Sequence, residues 1–241
     1  MRRDVLLERF FNALIAGQRA DARKIVDEVL EATDLAPEVL SRLFWPTLER
    51  IQNLHRADQL SVLAFNYATR LLRVLVDQVQ LRLELAPPRG RKILLVCGPE
   101  ESEEIGAQMA CDLLEADGYE VRFAGGGIAN DEVVAELGEL RADVLVVFGA
   151  VPSTVPFTRQ LIDRLHEIGV CPKLQIVVGG GVFNRADGLA EEIGADLWAA
   201  TPDELVEVMA DEPGRRMSHD QRTVGRKRRP RRGQDADADA A

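Results

Sequence analysis

Four carboxylates fall within five residues: Glu100, Glu101, Glu103 and Glu104. Carboxylates so close can form a general acid/base pair or a magnesium site. They also open an amphipathic stretch that reads as a helix, where the helix dipole favours acidic residues without any catalytic role. No catalytic residue is assigned. The three cysteines, Cys97, Cys111 and Cys171, form no CxxC pair and read as reduced thiols rather than a disulfide framework or zinc site. The histidines, His55, His166 and His219, are too far apart to show metal-ligand spacing. Four segments carry glycine: 98–102, 125–127, 149–154 (Gly-Ala-Val-Pro-Ser-Thr) and 179–181. Glycine allows close approach of backbone to a ligand, and helix starts favour anions. Neither a Walker A loop nor GxGxxG is present, which argues against an NTPase or a dinucleotide enzyme.

The elements that must position these loops are short apolar strands alternating with amphipathic helices from Arg91 onward. Strands are predicted at 92–97, 119–124, 143–148, 174–178 and 196–198, with helices at 103–117, 131–140, 158–168, 185–193 and 203–209. Such a pattern predicts a parallel sheet covered on both faces, in the flavodoxin-like order 2-1-3-4-5. Ligands of such sheets bind beyond the carboxyl ends of the strands, where the glycine segments fall.

The chain before this point reads as a helical bundle cap over 1–85. Gly17 ends its first helix, and a second carries Ile25, Val26, Val29 and Leu30. Asp34 precedes Pro37 at a third helix start, and Pro46 is expected to break or kink that helix. A fourth helix spans 47–55 and a long fifth 61–85. Residues 86–90, with two consecutive prolines, read as an extended spacer. The fold class is thus α + α/β: a helical bundle cap, then a flavodoxin-like (Rossmann-like) five-stranded parallel sheet domain over 91–210. Order is expected to end at Asp211, leaving 211–241 as a basic and acidic tail.

No apolar run is long enough to cross a bilayer, and the N-terminus is amphipathic, so the expected location is the cytoplasm. From Gly214 onward there are nine Lys/Arg and four Asp/Glu, whereas the remainder carries 21 basic and 36 acidic residues. An acidic body does not suit a nucleic-acid groove. Nucleic acid is expected to reach only the basic run 226–232.

The order of parts resembles the cobalamin-binding modules of methionine synthase, corrinoid methyltransferase carrier proteins and cobalamin-based light sensors. The resemblance covers about residues 5 to 210 and rests on LIAGQRADARKIVDEVL, FWPTLERI, EEIGAQMACDLLEADGYEV, IVVGGGVFN and EEIGADLWAATPDELVEV. It implies cobalamin as cofactor and a corrinoid or other small molecule in the cleft between cap and sheet. That family binds cobalt through Asp-x-His-x-x-Gly. The matching residues here are Glu101 at the aspartate, Glu103 at the histidine and Gly106 at the glycine. Carboxylate is a harder donor than imidazole. The family's serine after the third strand aligns with Gly149, with Ser153 and Thr154 further along that loop. The paired glycines that leave room for the nucleotide tail are kept as Gly179 and Gly180. In the cap, His55 stands at a family tryptophan, and Phe65 and Asn66 at a Glu-His pair.

With these ligating positions changed, the sequence reads as a non-catalytic regulatory or small-molecule-binding relative, reaching a protein partner through its cap. The alternative is a cobalamin binder with the nucleotide base on cobalt or with no protein ligand, acting as carrier or sensor.

Overall fold

The computed structural model describes residues 3–33, 35–169, 171–183 and 188–217. The N-terminal part holds α1 (Arg3–Ile15), α2 (Arg19–Thr33), α3 (Ala36–Val39), a π-helical turn (Leu40–Phe44), α4 (Trp45–Arg56) and α5 (Val62–Gln80). Then come β1 (Lys92–Cys97), α6 (Glu101–Ala116), β2 (Glu120–Gly125), α7 (Asn130–Leu140), β3 (Val144–Phe148), α8 (Thr154–Ile168), β4 (Gln175–Gly179), α9 (Leu189–Ile193), β5 (Leu197–Ala199) and α10 (Pro202–Asp211).

The sheet is all-parallel in the order β2-β1-β3-β4-β5, as predicted. Strand side chains alternate between faces because the strand period is two. Ile93, Leu95, Val144, Val146 and Phe148 face one side; Leu94, Val96, Leu145 and Val147 face the other. Strand β2, at the edge, is only half-buried, which explains its mixed sequence.

Three local expectations need correction. Pro46 does not end the helical run, which continues from Ala36 to Arg56. Proline lacks the N–H that would reach back one turn. The π turn accommodates the disturbance by carrying the Trp45 N–H to the Leu40 carbonyl, and the Thr47 hydroxyl donates to the Leu43 carbonyl at 2.7 Å. Helix α5 stops at Gln80 rather than Leu85. Helix α8 starts at Thr154, because Pro156 is tolerated in a first turn whose N–H groups need no helical partner. The expected cap at Asp34, part of the helix expected from Arg185, and the basic run 226–232 lie outside the described residues.

Residues 86–90 are extended but fastened. The Ala86 N–H donates to the Ala116 carbonyl at 2.7 Å and the Arg89 N–H to the Gly118 carbonyl at 2.8 Å. The Arg89 guanidinium pairs with Asp117 at 2.8 Å and lies over the Tyr119 ring. Gly118 has φ of 89°, and a Cβ there would sit 2.3 Å from the Pro87 carbonyl oxygen. The extended spacer is thus also a strap on the α6–β2 turn.

The cap and one sheet face share a continuous apolar core. It runs from Phe10, Leu14 and Phe44 through Leu72 and Val76 to Ile105, Met109, Ile93 and Phe148. At the amino ends of the strands, the described chain continues past Asp211 to Met217. Buried Gln175 donates to the Glu212 and Arg215 carbonyls, and Asp196 accepts from the Met217 N–H at 2.6 Å.

Candidate functional site

The carboxyl ends of the strands place Gly98, Gly126, Gly149 and Gly180 near one another, as the parallel order requires. Helix α6 begins immediately after β1, so its first turn projects Glu103 across this edge. The Glu103 side chain is 1% exposed. Its Oε1 accepts from the Ala150 N–H at 2.6 Å, the Val151 N–H at 3.1 Å and the Thr154 hydroxyl at 2.8 Å. The carboxylate thus fastens the β3–α8 loop, and charge-assisted bonds of this kind are the strong ones. Its Oε2 is buried without a hydrogen-bond partner. A Cβ on Gly98 would sit 1.8 Å from that oxygen, so residue 98 must be glycine for the carboxylate to lie there.

Gly179 and Gly180 are closed by the chain's own atoms, whereas a Cβ on Gly127 or Gly181 would meet nothing within 4 Å. A Cβ on Gly179 would lie 2.7 Å from the Phe148 ring, and one on Gly180 would lie 2.2 Å from the Gly149 carbonyl oxygen. Gly106, one turn after Glu103, lets α4 come close: its Cβ position is 3.1 Å from Trp45 and 3.3 Å from Phe148. The Trp45 and Phe148 rings meet edge to face, with centroids 5.7 Å apart. Beside them, Arg73 of the cap pairs with Glu104 of α6 at 2.8 Å. Burial, with the charges of Glu104 and Glu103 adding to it, pushes the Cys97 thiol up to about 12. Cys97 is therefore protonated at neutral pH and not a ready nucleophile.

The structure brings Glu103, Gly106, Gly149, Thr154, Gly179 and Gly180 to one edge. Glu101 lies in the same first helical turn. Ser153 and Asn66 are exposed. His55 and Phe65 pair with each other, their rings stacked with centroids 3.9 Å apart. His166 lies in the last turn of α8, and His219 is outside the described residues. Among the described residues, the Cys111, Asp112 and Glu115 group is the only cluster with metal-ligand spacing, and it lies in the second half of α6. Sequence reading missed Phe148, Trp45 and Arg73 as parts of this edge. Phe148 carried a signal in retrospect: it is the one aromatic in β3, at the strand end that faces the loops.

The chemistry of this donor set decides how it suits a cobalt corrinoid. The hydrogen bonds of Glu103 Oε1 run to the β3–α8 loop, and the spaces at Gly98, Gly179 and Gly180 hold the chain's own oxygen atoms and the Phe148 ring. The oxygen left over, Oε2, is a hard carboxylate donor rather than an imidazole nitrogen, so the residues present do not fit a corrin ligated from below by a protein nitrogen.

Fold and edge together define a helix-capped, flavodoxin-like α/β protein in which Gly98, Gly149, Gly179 and Gly180 at the strand ends pack against the chain's own atoms. The chain belongs to the B12 binding domain family: one family model of that description matches residues 91–207 and a second matches residues 6–80. A corrinoid protein of Desulfitobacterium hafniense (strain Y51) is 32% identical over 117 residues, covering 48% of this chain and 53% of that protein. The chain thus spans about half the length of that curated relative. Dimethylamine corrinoid protein 2 of Methanosarcina acetivorans is 21% identical over 206 residues, covering 85% of this chain and 94% of the relative. The structure of the Methanosarcina barkeri monomethylamine corrinoid protein shares the fold, with a TM-score of 0.64 at 18% identity, over 86% of this chain and 98% of that one. No helix among the described residues is long and apolar enough to cross a membrane.

Proposed function

We propose that this chain is a non-catalytic, regulatory or small-molecule-binding member of the B12 binding domain family that does without a protein ligand to cobalt. One observation carries this reading: Glu103 is buried and its Oε1 is engaged by the Ala150 and Val151 N–H groups and the Thr154 hydroxyl. Turning Oε1 toward a metal would break its bonds to the β3–α8 loop, and the remaining oxygen, Oε2, is a harder donor than imidazole. The packing of Trp45 on Phe148 supports a cap that works as a closed lid and transmits its state to a protein partner.

The second reading is a corrinoid binder without a protein donor. It is favoured by the match of family models to both cap and sheet, and by full-length relatives named as corrinoid proteins. In either reading no protein side chain ligates cobalt. Cobinamide, which lacks the nucleotide base, tests this directly. The purified full-length protein is incubated with cobinamide, reduced to the cob(II) state and examined by electron paramagnetic resonance. The expected signal shows no nitrogen coupling on the axial line. Nitrogen coupling from the protein would overturn both readings. Retention of corrin absorbance after desalting with cobalamin would select the second over the first.

A further inference from the structure

A second constellation lies along α6, away from the strand ends. The ligating atoms of Cys111, Asp112 and Glu115 all lie within 4.8 Å of one another. Asp112 is 1% exposed. Its Oδ1 accepts from the Gln108 amide at 2.6 Å, whereas Oδ2 is buried with no hydrogen-bond partner. Cys111 is also buried. The charges felt at Asp112 come from Glu115 and from Asp77 on α5, both acidic. A buried carboxylate oxygen with neither donor nor cation is an unusual and costly arrangement.

We propose that Cys111, Asp112 and Glu115 form a structural site for a divalent cation of zinc type on the flank of α6. One thiolate sulfur and two carboxylate oxygens suit a tetrahedral ion of borderline softness, with solvent or a further carboxylate completing the set. Donors on such an ion sit about 3–4 Å apart, so the present spacing closes by side-chain rotation. Gln108 holds Oδ1 and turns Oδ2 toward the ion, the supporting role that a residue next to a ligand usually plays. On binding, the Cys111 S–H bond breaks, a sulfur–metal bond forms and the proton leaves to solvent; no oxidation occurs. The site is independent of the strand-end loops, so its presence or absence leaves the cobinamide result unaffected.

The test titrates chelator-treated full-length protein with Co²⁺ as a spectroscopic stand-in for Zn²⁺. The expected result is a thiolate-to-cobalt charge-transfer band saturating at one equivalent and displaced by Zn²⁺. Cys111→Ser should abolish the band, and the near-isosteric Asp112→Asn should weaken binding at least tenfold while circular dichroism stays native. Wild-type protein that gives no such band would overturn the proposal. So would a band retained at full strength in Cys111→Ser, which would place the metal on another cysteine. Should Cys111→Ser fail to fold, undiminished Co²⁺ affinity in Asp112→Asn overturns it equally.

Discussion

Glu103 illustrates how one side chain can fix a loop. Its replacement by alanine removes three bonds to Oε1 and leaves the Ala150 and Val151 N–H groups without that partner. Glu103→Ala is expected to destabilise the fold by about 2–5 kcal/mol, measured by urea unfolding. Asp112 acts in the opposite sense in the metal-free protein. Burial raises its carboxyl from 3.8 to about 7, with Gln108 partly opposing and Glu115 and Asp77 adding. Below the unfolded value both states are protonated and there is no penalty. As pH rises toward 7 the unfolded chain ionises first, so stability falls, by up to about 4 kcal/mol, and stays level above. With chelator present, Asp112→Asn is therefore expected to be more stable than wild type at pH 8 and to lose that advantage by pH 4. An advantage unchanged between these two pH values would show that Asp112 is not buried in this way.

Elements are joined more firmly than their sequence indicates. The strap at 86–90 depends on Gly118, whose positive φ and nearness to the Pro87 carbonyl leave no room for a side chain. Gly118→Ala is expected to cost at least about 1–3 kcal/mol and to strip hydrogen-exchange protection from the Ala86 and Arg89 amides. Full protection of both amides in the variant would show that the strap does not need the close approach. The Arg73–Glu104 pair also crosses from cap to α6, but both side chains are partly exposed, so its removal should cost under about 1 kcal/mol. The double prolines were readable as extended backbone. Their fastening was not, because hydrogen bonds between an extended segment and a distant turn leave no periodic trace.

At the scale of the whole molecule, strand order was legible because apolar runs separated by amphipathic helices admit few arrangements. Glycines at the strand ends were legible as a cluster for the same reason. What filled them was not: Phe148 and Trp45 are 103 positions apart in the chain, and periodicity assigns each to a buried face without saying which faces meet. The shared core makes a thermodynamic prediction. Because Leu72, Ile105 and Phe148 belong to one apolar cluster, cap and sheet are expected to unfold in a single calorimetric transition whose calorimetric and van't Hoff enthalpies agree. Two separated transitions would show that the cap is an independent unit.

The wide turn at Leu40–Phe44 acts as a phase adjuster between two halves of one long rod. A π turn holds roughly one more residue than an α turn, and each residue advances an α-helix by about 100°. Deleting one residue between Leu40 and Phe44 would thus close it to an ordinary α turn with both ends still in step, whereas winding every residue present as regular α-helix would rotate the two ends apart. Either Val39 would swing away from the bundle interior or Trp45 would leave the Phe148 ring. A single wide turn, invisible to any count of helices, lets the rod carry one surplus residue while Trp45 still looks down upon the strand ends.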